Sequence, residues 1–492
     1  MQKSLIIVIF LLITNYLYSQ VETEKRIEFD VENYNSSYYF YEFNSLGAIL
    51  ISEQGSSNKY KVNLLNQNLD IVETKYFEIP DKENYTNYFS NDSTLYLLFK
   101  ARNGSYTLVV IDVKDMIITK KESAFPKKTY VYNIMAIDDM VFFEISIKRN
   151  NSITTLNLNT SIQSVIPIFI KGYKEKNTSI ENVQISENTK EYFVFVNAYK
   201  GNEHNLYVLK YDKNAELKET FNLSENLEQK LSSVSVSAIS KNEYIFSGTY
   251  SSKKVSSGEG LYFCKIINGK TEFIKFYNFM EFDEFLSYLP QRKIDKIEKK
   301  KKRKKDNGKS YSLNYLLASH EIIQIDNNYY YLGEAFYPTY RTETYTDSNG
   351  QTQTRQVFDG YQYTHATLVA FDELGNKLWD KTFEMWPSYK PYFVKKFITM
   401  TIIDQNINLL FINRSNIVSI AFSVFGENKS EKDYDFLETG NENDKLRYSL
   451  AEVVYWYNNY FIAYGFQKIK NNTDETSSKK RKVFFVNKIS YR

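Results

Sequence analysis

The sequence predicts an all-β protein, and three observations support this fold class. Tyr and Phe, which favour strands, number 43 and 35 among 492 residues, against only 17 Gly and 7 Pro. Short runs that alternate apolar and polar residues, or are continuously apolar, fill most of the chain between turn residues. A pattern of two strands joined by a polar turn also recurs along the chain, most clearly at residues 206–221 and 368–383.

The repeated unit contains four strands. The third strands of the first five units lie about 46 to 55 residues apart, near the period of known propeller blades. These five units are predicted at residues 38–77, 85–121, 131–166, 180–221 and 234–276. Three more are predicted at residues 311–383, 397–434 and 451–489, and the seventh of these eight units has a poorly marked fourth strand near Tyr434.

The eighth unit lacks a fourth strand, and residues 26–31 form an unassigned strand near the N-terminus that resembles this missing position. Pairing the two would remove exposed sheet edges, which invite aggregation. We therefore predict a single β-propeller over residues 20–492, with about eight four-stranded blades and a ring closed by the N-terminal strand. Seven blades is the main alternative, and two smaller β domains divided near a Lys-rich insertion are the competing architecture.

The first 19 residues have the features of a signal peptide. Lys3 provides a positive charge, residues 5–13 are apolar but too few to span a bilayer, and Ser19 precedes a plausible cleavage site. An uncleaved membrane anchor is the alternative. The only cysteine, Cys264, cannot form an intramolecular disulfide, and no later segment is apolar enough to cross a membrane. We expect an exported protein in the periplasm, at the cell surface or outside the cell.

A net charge of only +3 gives no global field for nucleic acid or acidic substrates, and we expect no nucleic-acid partner. An insertion at residues 281–310 nevertheless has ten basic and two acidic residues within positions 292–305. We interpret this run as a solvated loop extended by self-repulsion, with a patch for anionic polymers or membrane headgroups as the alternative. The apolar residues that would pin the insertion to the ring, on one face of a short helix, are Phe282, Phe285, Leu286 and Leu289.

A second insertion, at residues 337–365, is the best candidate for a functional surface. It is aromatic at both ends, and its turn at residues 347–350 predicts a long hairpin. Tyr and Arg in such a place resemble the rigid anchors of recognition surfaces, and propellers bind partners through loops at the ends of the ring. A hairpin whose aromatic residues only pack on the adjacent blade is the alternative. The predicted partner-binding residues are Tyr337, Tyr340, Arg341, Tyr361, Tyr363, His365 and Trp386.

No pattern assigns a catalytic, cofactor-binding or metal-binding residue. The three histidines, His204, His320 and His365, are not at metal-ligand spacing. The chain has no Gly-x-Ser-x-Gly elbow, P-loop or dinucleotide fingerprint, and its carboxylates are scattered. The turn at Asp347 matches only part of a calcium loop. We therefore expect no cofactor and no metal.

These features favour a binding or scaffolding module for a protein or a surface glycan outside the cytoplasm. In the glycan case, Trp386, Tyr337 and Tyr363 would stack on sugar rings. The alternative is a hydrolase or lyase that uses carboxylates at the central channel, and it predicts Asp or Glu side chains converging at one mouth of that channel.

One segment resembles a known blade signature. Residues 370–379 (AFDELGNKLW) combine a small residue, an Asp, a Gly turn and a Trp, and this pattern resembles the blade signature of quinoprotein-like propellers. The fourth unit keeps residues 211–214 (YDKN) but has Leu217 near the position of the Trp. The resemblance implies a propeller fold. Because only one unit carries the full pattern, it does not extend to a quinone cofactor or to dehydrogenase activity.

Overall fold

The computed structural model describes residues 20–31, 37–55, 58–148, 150–252, 257–309, 311–441, 443–471 and 480–491. The predicted signal peptide, residues 1–19, lies outside this part of the chain. The described residues form 34 strands in eight antiparallel sheets, which we number as blades 1 to 8. The chain divides into two compact units, Asn35–Ile398 with blades 1 to 6, and Met1–Tyr34 together with Thr399–Arg492 with blades 7 and 8.

Strand β1 (Val21–Asp30) belongs to the last blade, and each of the first three blades takes four consecutive strands. Blade 1 consists of β2 (Tyr38–Glu42), β3 (Ala48–Glu53), β4 (Lys59–Leu65) and β5 (Ile71–Glu78). Blade 2 consists of β6 (Asn84–Ser90), β7 (Thr94–Lys100), β8 (Ser105–Asp112) and β9 (Ile117–Ala124). Blade 3 consists of β10 (Thr129–Ile137), β11 (Met140–Ile147), β12 (Asn150–Asn157) and β13 (Gln163–Pro167).

In blades 5 and 6 the first strand is divided into two pieces, which both pair with the second strand. Blade 4 consists of β14 (Thr178–Ser186), β15 (Glu191–Lys200), β16 (Glu203–Asp212) and β17 (Leu217–Asn222). Blade 5 consists of β18 (Lys230–Leu231), β19 (Ser235–Ser240), β20 (Glu243–Ser251), β21 (Gly260–Ile267) and β22 (Lys270–Asn278). Blade 6 consists of β23 (Leu316–Ser319), β24 (Ile323–Ile325), β25 (Asn328–Thr346), β26 (Thr352–Phe371) and β27 (Lys377–Glu384).

The second unit contains the last two blades. Blade 7 consists of β28 (Thr399–Ile403), β29 (Asn406–Asn413), β30 (Asn416–Ser423) and β31 (Asp433–Phe436). Blade 8 consists of β32 (Asp444–Tyr457), β33 (Tyr460–Asn471), β34 (Lys480–Tyr491) and the N-terminal β1. Eight four-stranded antiparallel blades are the architecture of an eight-bladed β-propeller, so the predicted fold class is confirmed and the seven-blade alternative is wrong.

The predicted role of the N-terminal strand in completing the last blade is confirmed. Strand β1 pairs antiparallel with β34 along its length, and it begins earlier than residue 26, where the sequence pattern placed it. The Arg26 guanidinium fixes the pair because it donates to Glu28 at 2.7 Å and to Gln467 at 2.7 Å. Arg481 binds Glu28 at 2.7 Å from the other side. Most of the Arg26 side chain is buried, so these charge-assisted bonds are shielded from solvent.

Within each of the two units, apolar and aromatic side chains fill the space between neighbouring blades. Between blades 1 and 2, the Tyr60 ring stacks on Phe77 with 5.0 Å between centroids and meets Phe99 at 5.1 Å. Phe99 and Leu97 come from the second strand of blade 2, whose residues are almost continuously buried. Aromatic pairs of this kind contribute about 0.5–1.5 kcal/mol beyond the area that they bury.

The first strands of blades 2, 3 and 4 each contain one β-bulge. The extra residues are Thr86, Tyr132 and Glu181. In blade 2 the Asn87 side chain, next to the bulge, donates to the backbone carbonyl of Tyr132 in blade 3 at 3.1 Å. In blade 4 Asn182 donates in the same way to Val234 of blade 5 at 3.1 Å. The bulges therefore join neighbouring blades and turn their extra side chains away from the regular alternation.

The Lys-rich run was predicted to be an extended solvated loop, and this prediction is wrong. Gln291–Asp306 form helix α1, none of whose residues is buried. The segment contains no Gly or Pro, and Lys, Arg, Gln and Glu are good helix formers. Its last turn carries Arg303, Lys304 and Lys305, whose charges complement the helix dipole.

The segment before α1 pins the insertion to blade 6, although residues 282–289 form turns and not the predicted helix. Phe285 is fully buried and stacks on Phe279 at 4.3 Å. The buried Asp380 carboxylate of β27 accepts hydrogen bonds from the backbone amides of Asp283 and Glu284, at 2.9 and 2.8 Å. The anchoring role of this segment is thus confirmed by a different local structure.

Candidate functional site

The second insertion is a two-stranded ribbon that extends β25 and β26 beyond blade 6. We use the term ribbon for residues 337–346 and 352–362, which pair with each other antiparallel. Strand β23 pairs with β25 only up to Phe336, and β27 pairs with β26 only from His365 onward. Within the described residues, no other strand pairs with the ribbon, so its backbone edges beyond the base, where the Tyr361 amide binds Pro391, remain available for hydrogen bonding.

The tip of the ribbon is a compact turn at residues 347–351. The Asp347 carboxylate accepts from the backbone amides of Asn349 and Gln351, both at 2.9 Å, and Gly350 has a φ of 77°. These contacts match a type I turn followed by a left-handed residue, a common way to join two strands through a three-residue loop. One Asp347 oxygen thus accepts from two backbone amides and stabilises the turn. This structural role accounts for the residues that matched part of a calcium loop.

A bulge at the base of the ribbon brings in the chain that links blades 6 and 7, residues 385–398, which we call the connecting segment. The register shifts between Pro338 and Tyr340, and Gly360 adopts a φ of 88°. A Cβ at Gly360 would lie 2.7 Å from the Lys390 carbonyl oxygen. The amide of Tyr361 donates to the Pro391 carbonyl at 2.8 Å. Glycine at this position therefore allows the connecting segment to lie directly against the ribbon.

Two buried side chains anchor the far end of the connecting segment. The fully buried Glu334 carboxylate accepts from the amides of Phe397 and Ile398, with its shortest contacts at 2.9 Å, and lies 2.8 Å from His320 Nε2. The Tyr363 hydroxyl donates to the Lys395 carbonyl at 2.5 Å and accepts from the Lys395 amide at 2.8 Å. The connecting segment is thus fixed to blade 6 without regular secondary structure.

Four rings form an aromatic cluster where the ribbon meets the connecting segment. Phe358 lies at its centre, with ring centroids 6.0 Å from Tyr340, 5.0 Å from Tyr361 and 5.9 Å from Tyr392. Tyr340 is 59% exposed and Tyr392 is 64% exposed. The neighbouring Phe393 is 70% exposed. Large apolar rings held this rigidly at the surface are typical of a site that a partner covers.

Charged side chains surround the aromatic cluster. Glu343 pairs with Arg341 at 2.7 Å along its own strand and with Arg355 at 3.0 Å across the ribbon. Hydrogen bonds from these two guanidinium groups lower the pKa of the Glu343 carboxyl. Asp359 pairs with Lys390 of the connecting segment at 3.0 Å. These pairs are largely exposed, so each contributes little to stability.

His365 is not a surface residue, which corrects its assignment as a partner-binding residue. It is fully buried and its ring stacks on Tyr288 at 4.0 Å, with Phe285 at 4.9 Å and Tyr315 at 5.6 Å. Its Nδ1 lies 2.9 Å from the Thr364 hydroxyl. Burial lowers the pKa of His365 to about 3, so the ring is neutral at physiological pH. His365 therefore holds the first insertion to blade 6.

Tyr363 is also removed from the predicted contact surface. It is only 1% exposed and its hydroxyl is bonded to the connecting segment, so it cannot stack on a sugar ring in this structure. Its pairing partner across the bulge, Phe336, covers the ring at 5.2 Å. Tyr363 and His365 thus follow the alternative prediction that the aromatic residues of the hairpin pack on the blade. The aromatic cluster does not.

The remaining predicted residues are accessible to different extents. Tyr340 and Tyr361 belong to the aromatic cluster, and the Arg341 side chain is exposed beside it. Tyr337 and Trp386 are 48% and 44% exposed, and in the part of the chain that the structure describes no ring contact joins them to the cluster. Trp386 instead donates from Nε1 to Glu384 at 3.1 Å.

The sequence-based prediction missed the contribution of the connecting segment, namely Tyr392 and Phe393. A signal was present, because residues 391–394 (PYFV) form an apolar and aromatic run in a linker between two blades. Such a run is unexpected in a solvent-exposed connection, and it indicates that the segment contributes to a contact surface.

A cavity of about 450 Å³ lies beside the connecting segment, and the first strands of blades 4, 5 and 6 line it. Glu181, the extra residue of the β14 bulge, is the carboxylate in its lining. Burial raises the pKa of Glu181 to about 7, and a hydrogen bond from Asn197 at 2.6 Å opposes this shift. Asn197 also lies 2.7 Å from His204 Nε2. Among the residues that line this cavity, Glu181 is the one carboxylate.

No group of three or more His, Cys, Asp or Glu side chains among the described residues is placed to hold a metal ion. No helix in the same residues combines the length and apolar character required to cross a bilayer.

Comparison with protein-family models and with curated proteins gives no match. Solved structures that resemble this chain include the dihydro-heme d1 dehydrogenase NirN, with 11% identity, a TM-score of 0.47 and coverage of 94% of this chain and 78% of that one. The β-propeller domain of Vanderwaltozyma polyspora Nup133 has 11% identity and a TM-score of 0.43, with coverage of 89% and 99%. The WD40 domain of SCAP from fission yeast has 8% identity and a TM-score of 0.41, with coverage of 96% and 98%.

Structural similarity with such low identities and TM-scores gives no information about a ligand or a reaction of this chain. No match supports the resemblance of residues 370–379 to the quinoprotein-like signature. In the structure Trp379 of this segment packs on Tyr330 of its own blade, with 6.0 Å between the ring centroids. The aromatic cluster and the ribbon are therefore the features on which a functional proposal is built.

Proposed function

We propose that this chain is an exported β-propeller that acts as a binding module and captures a protein partner through the ribbon and the aromatic cluster of blade 6. The observation that carries the proposal is the exposed cluster of Tyr340, Phe358, Tyr361 and Tyr392, held between a rigid hairpin and an anchored segment. Such preorganised aromatic anchors contribute most of the binding energy in many interfaces.

A protein partner is favoured over a glycan for two reasons. The ribbon presents unpaired strand edges, to which an extended segment of another protein could add by β-augmentation. The charges beside the cluster, on Arg341 and Lys390, are exposed and can set the orientation of a partner. The residues proposed for sugar stacking are not assembled, because Tyr363 is buried and Trp386 is separate from the cluster.

Export rests on the first 19 residues, and the environment of Gln20 is compatible with cleavage before it. The Gln20 backbone nitrogen lies 3.3 Å from the Asp433 carboxylate. Its side-chain oxygen accepts from Ser419 at 3.1 Å and from Tyr491 at 2.9 Å. Cleavage would convert this nitrogen to an ammonium group opposite a carboxylate, which favours the pair. Mass spectrometry of the secreted protein tests this, and a mature chain that begins elsewhere would contradict it.

The proposed binding surface is tested with the triple variant Tyr340→Ser, Arg341→Ser, Tyr392→Ser. We expect a loss of partner affinity of about 100-fold or more, since each aromatic or Arg anchor contributes about 2 kcal/mol. The matched control is Tyr76→Ser, Lys75→Ser, Tyr88→Ser on blades 1 and 2, which removes two exposed tyrosines and one cation elsewhere. Partner capture that survives in the folded triple variant, or is lost equally in the control, would refute the proposal. Release of the partner by glycosidase and not by protease would reassign it as a glycan.

A further inference from the structure

An open cleft of about 940 Å³ lies between blades 2 and 3, away from blade 6. Its walls come from the beginnings of β6 and β10, the ends of β7 and β11, and the residues that follow those two strands. The volume is near the upper end of the range for small-molecule sites, about 300–1,000 Å³. The cleft is therefore large enough for a ligand of several linked rings.

The cleft is positively charged. Four cationic side chains line it, those of Lys100, Arg102, Lys128 and Lys148, and no Asp or Glu is among the lining residues. Within the described residues none of these four forms an ion pair with a carboxylate, and Lys100 donates only to the neighbouring Ala101 carbonyl at 3.3 Å. Like charges that share a cleft repel one another, so a bound anion would relieve this repulsion.

Two tyrosines present their rings at the same cleft. Tyr130 is 71% exposed and Tyr132 is 58% exposed. Tyr132 is the extra residue of the β10 bulge, and its backbone carbonyl is held by Asn87 of blade 2 at 3.1 Å. Its hydroxyl lies 3.2 Å from the Ser146 hydroxyl, which fixes the direction of the ring. The bulge thus turns a large aromatic side chain toward the cleft.

We propose that this cleft binds an acidic oligosaccharide, meaning a chain of sugar rings that carries carboxylate or sulfate groups. The four cations match the anionic groups, and the exposed tyrosine rings match the apolar faces of sugars. Hydroxyl and amide side chains between them, from Thr86, Ser146 and Asn151, match the hydroxyl groups of a saccharide. Single-stranded nucleic acid would use the same cations and rings, but it lacks the dense hydroxyl groups that this lining favours.

The test is isothermal titration calorimetry on the purified full chain with four defined probes. These are a sulfated heparin hexasaccharide, a polygalacturonate hexasaccharide, neutral cellohexaose and a 12-nucleotide oligo(dT). We expect at least one of the two acidic probes to bind ten or more times tighter than cellohexaose and oligo(dT). The variant Lys100→Gln, Arg102→Gln should weaken that binding at least 30-fold, and Tyr130→Ala should weaken it about tenfold.

The matched control is Lys300→Gln, Lys302→Gln on helix α1, which removes the same charge from an exposed site elsewhere. We expect it to change the affinity less than twofold. An equal loss in the control would show non-specific attraction, and no binding of either acidic probe would overturn the proposal. Tighter binding of oligo(dT) would replace it with a nucleic-acid site. Arg102 and Tyr130 are exposed, so a circular dichroism spectrum unchanged from wild type confirms that the variants are folded.

Discussion

At the scale of single residues, the most informative groups are ionisable side chains that the fold has buried. His365 lies in an aromatic cage and His204 beside Asn197, and burial lowers the pKa of His365 to about 3 and that of His204 to about 4. Both groups bind a proton more readily in the unfolded chain, where the His pKa is near 6.5. Their contribution to stability is therefore complete above pH 6.5 and is lost as the pH falls toward the lowered values.

We predict that His365→Phe reduces the acid sensitivity of the fold. Phe keeps an aromatic ring against Tyr288 and Phe285 but cannot bind a proton. Between pH 7 and pH 4.5 the wild type should lose about 2–3 kcal/mol more unfolding free energy than the variant, since one pKa unit corresponds to about 1.4 kcal/mol. Urea denaturation at both pH values measures this. An equal loss of unfolding free energy in the two proteins would show that protonation of His365 does not cause the acid sensitivity.

Glu334 is the second residue-scale feature, because its carboxylate holds the connecting segment. We predict that Glu334→Ala lowers the unfolding free energy by about 3 kcal/mol, as the amides of Phe397 and Ile398 lose their acceptor in a buried site. It should also expose the connecting segment to limited proteolysis. The neighbouring Glu321 is exposed, and Glu321→Ala should change stability by less than about 0.5 kcal/mol. Equal effects of the two substitutions would contradict the anchoring role.

At the scale of elements, one turn type recurs in the chain. The turn starts with an Asp, Asn or Ser whose side chain accepts backbone amides, and its fourth residue is left-handed. Such turns begin at Asn66, Asp212, Asp347, Asp372 and Ser423. Four of them join the third and fourth strands of a blade, and that at Asp347 forms the ribbon tip. The recurrence explains why the strand pairs were readable from the sequence, since turn chemistry is local.

We predict unequal costs for alanine at two left-handed glycines, Gly375 and Gly350, which share a φ of 77°. A Cβ at Gly375 would lie 2.5 Å from the Phe273 ring, whereas Gly350 has open space. Gly375→Ala should cost more than about 2 kcal/mol, and Gly350→Ala about 1 kcal/mol or less. Thermal unfolding of the two variants measures the difference. Similar losses would show that backbone strain alone, and not the contact with Phe273, sets the cost.

Helix α1 shows where element prediction fails. Its ten basic residues suggested self-repulsion and an extended loop, but intrinsic helix propensity and the favourable position of Arg303 to Lys305 at the C-terminus prevail. The divided first strands of blades 5 and 6 were also not predictable. Strand β18 has only two residues, too few for a periodic signal.

At the scale of the whole molecule, the repeat pattern predicted the eight blades and the strand order because each blade depends on local alternation and local turns. The candidate site could be predicted only in part. Tyr340, Arg341 and Tyr361 were found because they lie in one aromatic insertion. Tyr392 contacts Phe358 of the ribbon from a distant part of the sequence, and the burial of Tyr363 and His365 depends on segments 385–398 and 282–289. Such packing is not encoded in a local pattern.

A testable prediction at this scale concerns the unit that holds blades 7 and 8. Removal of residues 20–31 would delete β1 and expose the edge of β34, and Arg481 would lose Glu28 while keeping its ion pair with Asp444. We expect the truncated protein to aggregate, because an unprotected sheet edge pairs with other chains. Size-exclusion chromatography measures this, and addition of a synthetic peptide of residues 20–31 should restore the monomer peak. A monomeric truncated protein with unchanged stability would contradict the role of β1.

The measurement that tests the binding proposal most directly is site-specific photo-crosslinking in the cells that produce the protein. A benzophenone amino acid at Tyr340 or Tyr392 places the reactive group in the aromatic cluster, and Tyr76 on blade 1, which is 54% exposed, is the control position. We expect one discrete, protease-sensitive adduct from positions 340 and 392 and none from position 76. No adduct from the cluster, or the same adduct from all three positions, would contradict it.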